Sequence, residues 1–120
     1  MTIGEVSKKT SLSESTLRFY EKKELIRVSR DKNGRRDYIE ADIEWIKFIR
    51  RLKETGMLLR DIKFYSELRY LGDTTMPERL KILKSHRDYI VEQQTKWNEY
   101  LQNLNEKIEF YKQSIEKKKI

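Results

Sequence analysis

Apolar residues along the chain recur at three different rhythms, and each predicts an element. Ile3 and Val6 share one side of a short helix that Thr2 can cap, with Glu5 three residues on in capping-box spacing. Ser11-Leu12-Ser13 reads as a turn. Ser13 then suits the N-cap of a second helix, because its hydroxyl can accept from free backbone N–H groups. Leu17 and Tyr20 sit three apart on that helix and can face a core. Two short helices joined by a tight turn form a helix-turn-helix.

Residues 26–39 change rhythm. Ile26-Arg27-Val28-Ser29-Arg30 and Arg35-Arg36-Asp37-Tyr38-Ile39 can each be extended. Asn33-Gly34 between them signals a hairpin with a type I′ turn. So short a ribbon must lean on neighbouring helices. Helical spacing returns at Glu40–Thr55, where Ile43, Ile46, Phe48, Ile49 and Leu52 form a broad face, and Gly56 suits the C-cap. Leu58–Leu71 reads as another helix, with Leu59, Ile62, Tyr65 and Leu68 on its inner face and Gly72 ending it.

The third rhythm is the longest. From Pro77, which suits a first helical turn, no breaker appears through Ile120. Leu83, Ile90, Trp97, Leu104 and Tyr111 are spaced seven apart. Leu80, Arg87, Gln94, Leu101, Ile108 and Ile115 form the companion row. These are d and a positions of a heptad repeat. At about 1.5 Å per residue the helix is roughly 60 Å long. A domain of some 70 residues cannot cover such a stripe, so the pattern predicts a coiled-coil homodimer. Its interface would hold Leu80, Leu83, Ile90, Trp97, Leu101, Leu104, Ile108, Tyr111 and Ile115. Arg87 and Gln94 in the seam would specify register, with a polar ligand notch as the functional alternative. Trp97 reads as dimer core rather than as a ligand platform.

Composition narrows what such a molecule can do. The chain has 120 residues, 27 Lys+Arg against 20 Asp+Glu, a net charge of +7, one histidine (His86) and no cysteine. Disulfides, thiolate metal sites and redox thiols are therefore excluded. The residues show no phosphate loop, no nucleophile–histidine–carboxylate set and no metal spacing, so neither enzyme activity nor a cofactor is expected. With no apolar run long enough for a membrane span and no signal-peptide layout, a cytoplasmic protein is expected. The positive excess is densest over residues 18–36, eight basic against three acidic. An arginine-rich hairpin after a helix-turn-helix makes it winged, and the charge points to double-stranded DNA.

Ile3-Gly4-Glu5-Val6, Leu12-Ser13, Thr16-Leu17-Arg18-Phe19-Tyr20-Glu21-Lys22, Leu25-Ile26 and the wing's Asn33-Gly34, Arg36 and Tyr38 resemble the start of MerR-family transcription regulators. Phe48-Ile49-Arg50-Arg51-Leu52 and Gly56-Met57 extend the resemblance to about residue 72. It implies an antiparallel coiled-coil dimer on a pseudo-palindromic promoter site. Typical members bend and untwist an overlong spacer so that RNA polymerase engages both promoter elements. By position it places Ser13, Thr16, Arg18 and Tyr20 on the recognition helix, and Arg36 and Tyr38 on the wing; Phe19 and Lys22 in the same helix and Arg35 at the hairpin tip join them as candidate contacts. Arg60, at the start of a later helix, can meet a phosphate. Lys23, Arg27, Arg30 and Lys32 are further candidates. Phe19 stands where the family usually has tyrosine, so a phosphate contact from that hydroxyl is lost, and Leu58 stands where a Ser or Thr cap is usual.

The pattern as a whole predicts a mainly α chain. It has a winged helix-turn-helix DNA-binding domain over residues 1–72, a linker at 73–76 and a long dimerising coiled-coil helix over 77–120. The predicted function is a DNA-binding transcription regulator. An effectorless architectural DNA-binding protein and a coiled-coil protein-interaction module are the alternatives. Without cysteine, thiol-based sensing is excluded. A small apolar or aromatic effector could bind near Trp45, Phe64, Tyr65 and Tyr70, or regulation could be by protein abundance alone.

Overall fold

The computed structural model describes residues 1–119. In chain order the elements are α1 (Ile3–Thr10), α2 (Glu14–Lys22), β1 (Ser29–Arg30), β2 (Arg36–Asp37), α3 (Glu40–Glu54), α4 (Leu59–Leu71), a 3-10 turn (Asp73–Thr75) and α5 (Met76–Lys118). The mainly α class and the winged helix-turn-helix order follow the hydrophobic pattern. The chain divides into one compact unit, Met1–Ile82, and a second from Leu83 onward.

Within the first unit, caps decide where helices begin and end. Thr2 Oγ1 accepts from Glu5 N at 3.2 Å, without the reciprocal Glu5 bond of a full capping box. Ser13 Oγ accepts from Thr16 N at 3.1 Å and starts α2. α2 ends where Leu25 N donates to Tyr20 O and Glu24 N to Glu21 O, both at 2.9 Å. That is a Schellman arrangement, and it holds Glu24 at φ 62, left-handed for a non-glycine residue. α3 ends in the same way, with Met57 N donating to Leu52 O, and here Gly56 takes the left-handed position at φ 91. At the start of α3 the Asp42 carboxylate accepts from Ile39 N at 2.9 Å. Leu58 leads α4 with no side-chain cap.

The hairpin forms, but shorter than its sequence suggests. β1 and β2 pair antiparallel with Ser29 opposite Asp37 and Arg30 opposite Arg36. The turn is not type I′. Only Gly34 has positive φ, and Gly34 N donates to Asp31 O at 3.1 Å. The Asp31 carboxylate also accepts from the N–H groups of Asn33 and Arg35, which favours an Asx-type turn over the two-residue alternative. Met1 lengthens the ribbon. Tyr38 N donates to Met1 O at 3.0 Å, and the terminal ammonium donates to Tyr38 O at 2.7 Å and bridges Asp37.

Val6, Leu17, Ile26, Ile46, Ile49 and Ile62 are fully buried and join α1, α2, α3 and α4 in one core. Trp45 is buried too, although the sequence reading left it off the inner face of α3. Its indole N–H donates to Leu25 O at 2.9 Å, and Ser66 Oγ on α4 donates to the same carbonyl at 2.6 Å. One peptide oxygen at the exit of α2 thus satisfies two buried donors from two other helices.

The expected linker is ordered. Thr75 Oγ1 donates to Leu68 O at 2.6 Å, and the Arg79 guanidinium donates to Thr75 Oγ1 and Gly72 O. In the second unit the α5 helix has no buried residue. Trp97, Leu101, Leu104, Ile108, Tyr111 and Ile115 are all exposed in the single chain. Leu80 is exposed as well, and Leu83 and Ile90 are half-buried.

Candidate nucleic-acid interface

At 3.6 residues per turn, Ser15, Arg18 and Lys22 occupy the middle of the outward face of α2. Glu21 lies on one flank of that face, Phe19 and Lys23 on the other. Leu17 and Tyr20 point into the core. Ser13 and Thr16 bond each other through their hydroxyls at 2.8 Å at the helix start. Arg18 is half-exposed and pairs loosely with Glu14 at 3.5 Å, a contact that competing phosphate can replace at little cost.

The wing meets α2 through Glu21. Arg36 Nε lies 2.7 Å from Glu21 Oε1, and Arg30 Nη2 lies 3.1 Å from Oε2. One carboxylate therefore ties both wing strands to α2. Arg35, Lys22 and Lys32 are exposed. Arg60, in the first turn of α4, is strongly exposed and paired with its neighbour Asp61 at 3.8 Å.

Two of the predicted contact residues are withdrawn from the surface. Tyr20 is 2 % exposed and Tyr38 is 1 % exposed, so both rings pack in the core. Burial raises both phenol pKa values above 10.0. For Tyr20, Arg50 opposes and Glu54 adds to the shift; for Tyr38, Arg36 opposes and Glu21 adds. The Tyr38 hydroxyl is buried with no hydrogen-bond partner among the described residues. Tyr38→Phe removes a desolvated polar atom without leaving another unpaired, so its stability at neutral pH should equal or exceed the parent's by up to about 1 kcal/mol. The folded chain holds these phenol protons more tightly than the unfolded chain does. Stability is therefore fully present below pH 10.0 and falls as pH rises past it, and Tyr38→Phe should lessen that fall. Urea unfolding at pH 7 and at about pH 11 measures both effects; a destabilised variant at pH 7 would mean that the hydroxyl is satisfied.

Three of the aromatic residues considered for an effector lie together, because the Arg69 guanidinium covers Trp45 at 4.6 Å as well as Tyr70. Trp45 and Tyr65 are buried and stack at 5.6 Å, with Phe48 beside both. Tyr70 lies under the guanidinium groups of Arg27 at 4.6 Å and Arg69 at 5.2 Å, while Phe64 is exposed. Glu21 leaves no mark in the sequence as the wing's anchor, because a carboxylate among cations counts only as lost positive charge. Lys53 leaves none either, since it comes beside the Phe19 ring only on folding.

Residues 1–67 match the family model for the MerR HTH family regulatory protein. The chain belongs to the MerR family. It is 35 % identical over 114 residues to an HTH-type transcriptional regulator of Haemophilus influenzae, covering 94 % of this chain and 84 % of that one. It is 39 % identical over 93 residues to the regulator AdhR of Bacillus subtilis, covering 77 % and 66 %. Among solved structures it resembles HiNmlR, a MerR family regulator lacking the sensor domain, bound to promoter DNA. The TM-score is 0.84 at 35 % identity over 93 % of this chain and 90 % of that one. A MerR regulator from Listeria monocytogenes aligns with TM-score 0.88 at 30 % identity, over 92 % and 85 %. This MerR chain is thus a DNA-binding transcription regulator of a non-enzymatic family whose members act as dimers. Among the described residues, no helix is long and apolar enough to cross a membrane.

Proposed function

We propose that the chain works as a homodimer on a pseudo-palindromic promoter site, distorting the DNA to control transcription by RNA polymerase. Each protomer places α2 in a major groove and its wing on the adjoining backbone. Arg18 and Lys22 face the bases or nearby phosphates, and Arg35 and Arg36 address phosphates. The observation that carries this reading is the outward face of α2, cationic and tied to an arginine-bearing wing by Glu21. The promoter complex of HiNmlR supports it. The apolar seam of α5, exposed in the single chain, supports pairing with a second copy.

The deciding experiment selects bound fragments from genomic DNA of the source organism and titrates the tightest duplex over a salt series. Affinity should fall steeply with salt, because phosphate contacts release counterions. Affinity indifferent to salt, or no binding, would refute the DNA reading. Arg18→Ala should weaken binding by about 1–3 kcal/mol if the guanidinium reads a base edge; unchanged affinity would remove Arg18 from the interface.

A further inference from the structure

The flank of α2 opposite the wing carries a second cationic feature. Phe19 is 37 % exposed, and two ammonium groups gather over its ring. Lys23 Nζ, from the C-cap of α2, lies 5.8 Å from the ring centroid. Lys53 Nζ, from the last turn of α3, lies 5.8 Å from the same centroid and 5.6 Å from that of Tyr20. Neither makes an ion pair among the described residues, whereas Arg18, Arg30, Arg36 and Lys63 all do. Both ammoniums lie beside one exposed ring, whose face holds each by only about 0.5–1 kcal/mol. An anion within reach of both would therefore meet two cations without an ion-pair partner among the described residues.

Groove geometry supplies the anion. A major groove is about 12 Å wide, close to the diameter of a helix with its side chains, so each flank of an inserted helix faces one phosphate backbone. On the Glu21 flank the backbone meets the wing arginines. On the other flank it meets Phe19, Lys23 and Lys53.

We propose that Lys23 and Lys53 together bind a phosphate of the DNA backbone across the groove from the wing, with the Phe19 ring as the platform that holds both ammoniums. The site rests on the DNA reading above. It joins the recognition helix to the end of α3 through the bound strand. It also supplies cations on the flank where Phe19 lacks a hydroxyl.

The test compares wild type, Lys23→Gln, Lys53→Gln, the double variant and Lys117→Gln, which loses the same charge far along the chain. Each is titrated over a KCl series with the tightest genomic duplex. Both lysines at the site are exposed, so thermal melts should overlay. The slope of log affinity against log salt should shrink by about 0.9 for each lysine removed, hence about twice that in a dimer carrying two copies. Lys117→Gln should keep the wild-type slope. Absence of wild-type binding would refute the DNA reading and this site with it. Normal wild-type binding with an unchanged slope in the double variant would overturn the phosphate pair alone, as would an equal fall with Lys117→Gln.

Discussion

Replacing Leu104 and Ile108 together with glutamate should leave the chain folded over residues 1–82 but monomeric at micromolar concentration. Both side chains are exposed in the single chain and occupy adjacent layers of the heptad seam. In a paired coil each would be covered, and covering one such side chain is worth about 1.5–3 kcal/mol. A dimer loses four of them in this variant and gains four carboxylates in the seam. Sedimentation velocity should show the change directly. The effect on DNA should be larger still. Two linked half-site contacts gain about 10²–10⁴ in avidity over one. Affinity for a two-half-site duplex should therefore fall at least a hundredfold. A variant that stays dimeric would take α5 out of the interface. A monomer with parental affinity would show that pairing contributes nothing to DNA binding.

Glu21→Gln should weaken DNA binding about tenfold, although it removes a negative charge beside the surface that meets phosphate. A purely electrostatic account predicts the opposite sign, so the direction alone separates the two. The structure favours weakening because the Glu21 carboxylate holds Arg36 at 2.7 Å and Arg30 at 3.1 Å, and all three are at least partly shielded. A glutamine amide offers one acceptor oxygen in place of two charged ones. At least one arginine is then released and the wing swings more freely. Hydrogen bonds to charged groups are worth about 1.5–3 kcal/mol, and part of that becomes the cost of ordering the wing on the duplex. The salt slope should hold, because no phosphate-facing cation is lost, and this distinguishes a positioning role from a contact. Equal or tighter binding would mean that the wing is held by other means.

Most of the helical frame was legible because each helix announces itself locally. Ser13 caps α2 and Gly56 ends α3 as their residue types suggest. Glu24 fills the same left-handed role after α2 without being glycine. No local signal marks it, because buried Leu25 and the Schellman bonds impose the conformation from outside. The wing was legible as a hairpin but not in its turn type, which depends on the Asp31 carboxylate reaching two backbone donors. The pairing of Met1 with Tyr38 joins residues 37 apart and has no periodic trace. Charge and spacing single out α2 and the wing arginines as candidates, and the fold brings Glu21 of α2 against Arg30 and Arg36 of the wing. Spacing with Leu17 marks Tyr20 as an inward residue, whereas nothing local marks Tyr38 as buried. Nor does the sequence mark Glu21 as the partner of Arg30 and Arg36 or Lys53 as the neighbour of Phe19, since these groups meet only on folding.

The Leu25 carbonyl has a mechanical consequence. It accepts from Trp45 on α3 and Ser66 on α4 at once, just where the chain leaves α2. A force that tilts α2 must lengthen two buried hydrogen bonds, each shielded from water that could replace it. Leaving both donors unsatisfied would cost about 1–3 kcal/mol each, so α2 keeps its angle to α3 and α4 under any load smaller than that.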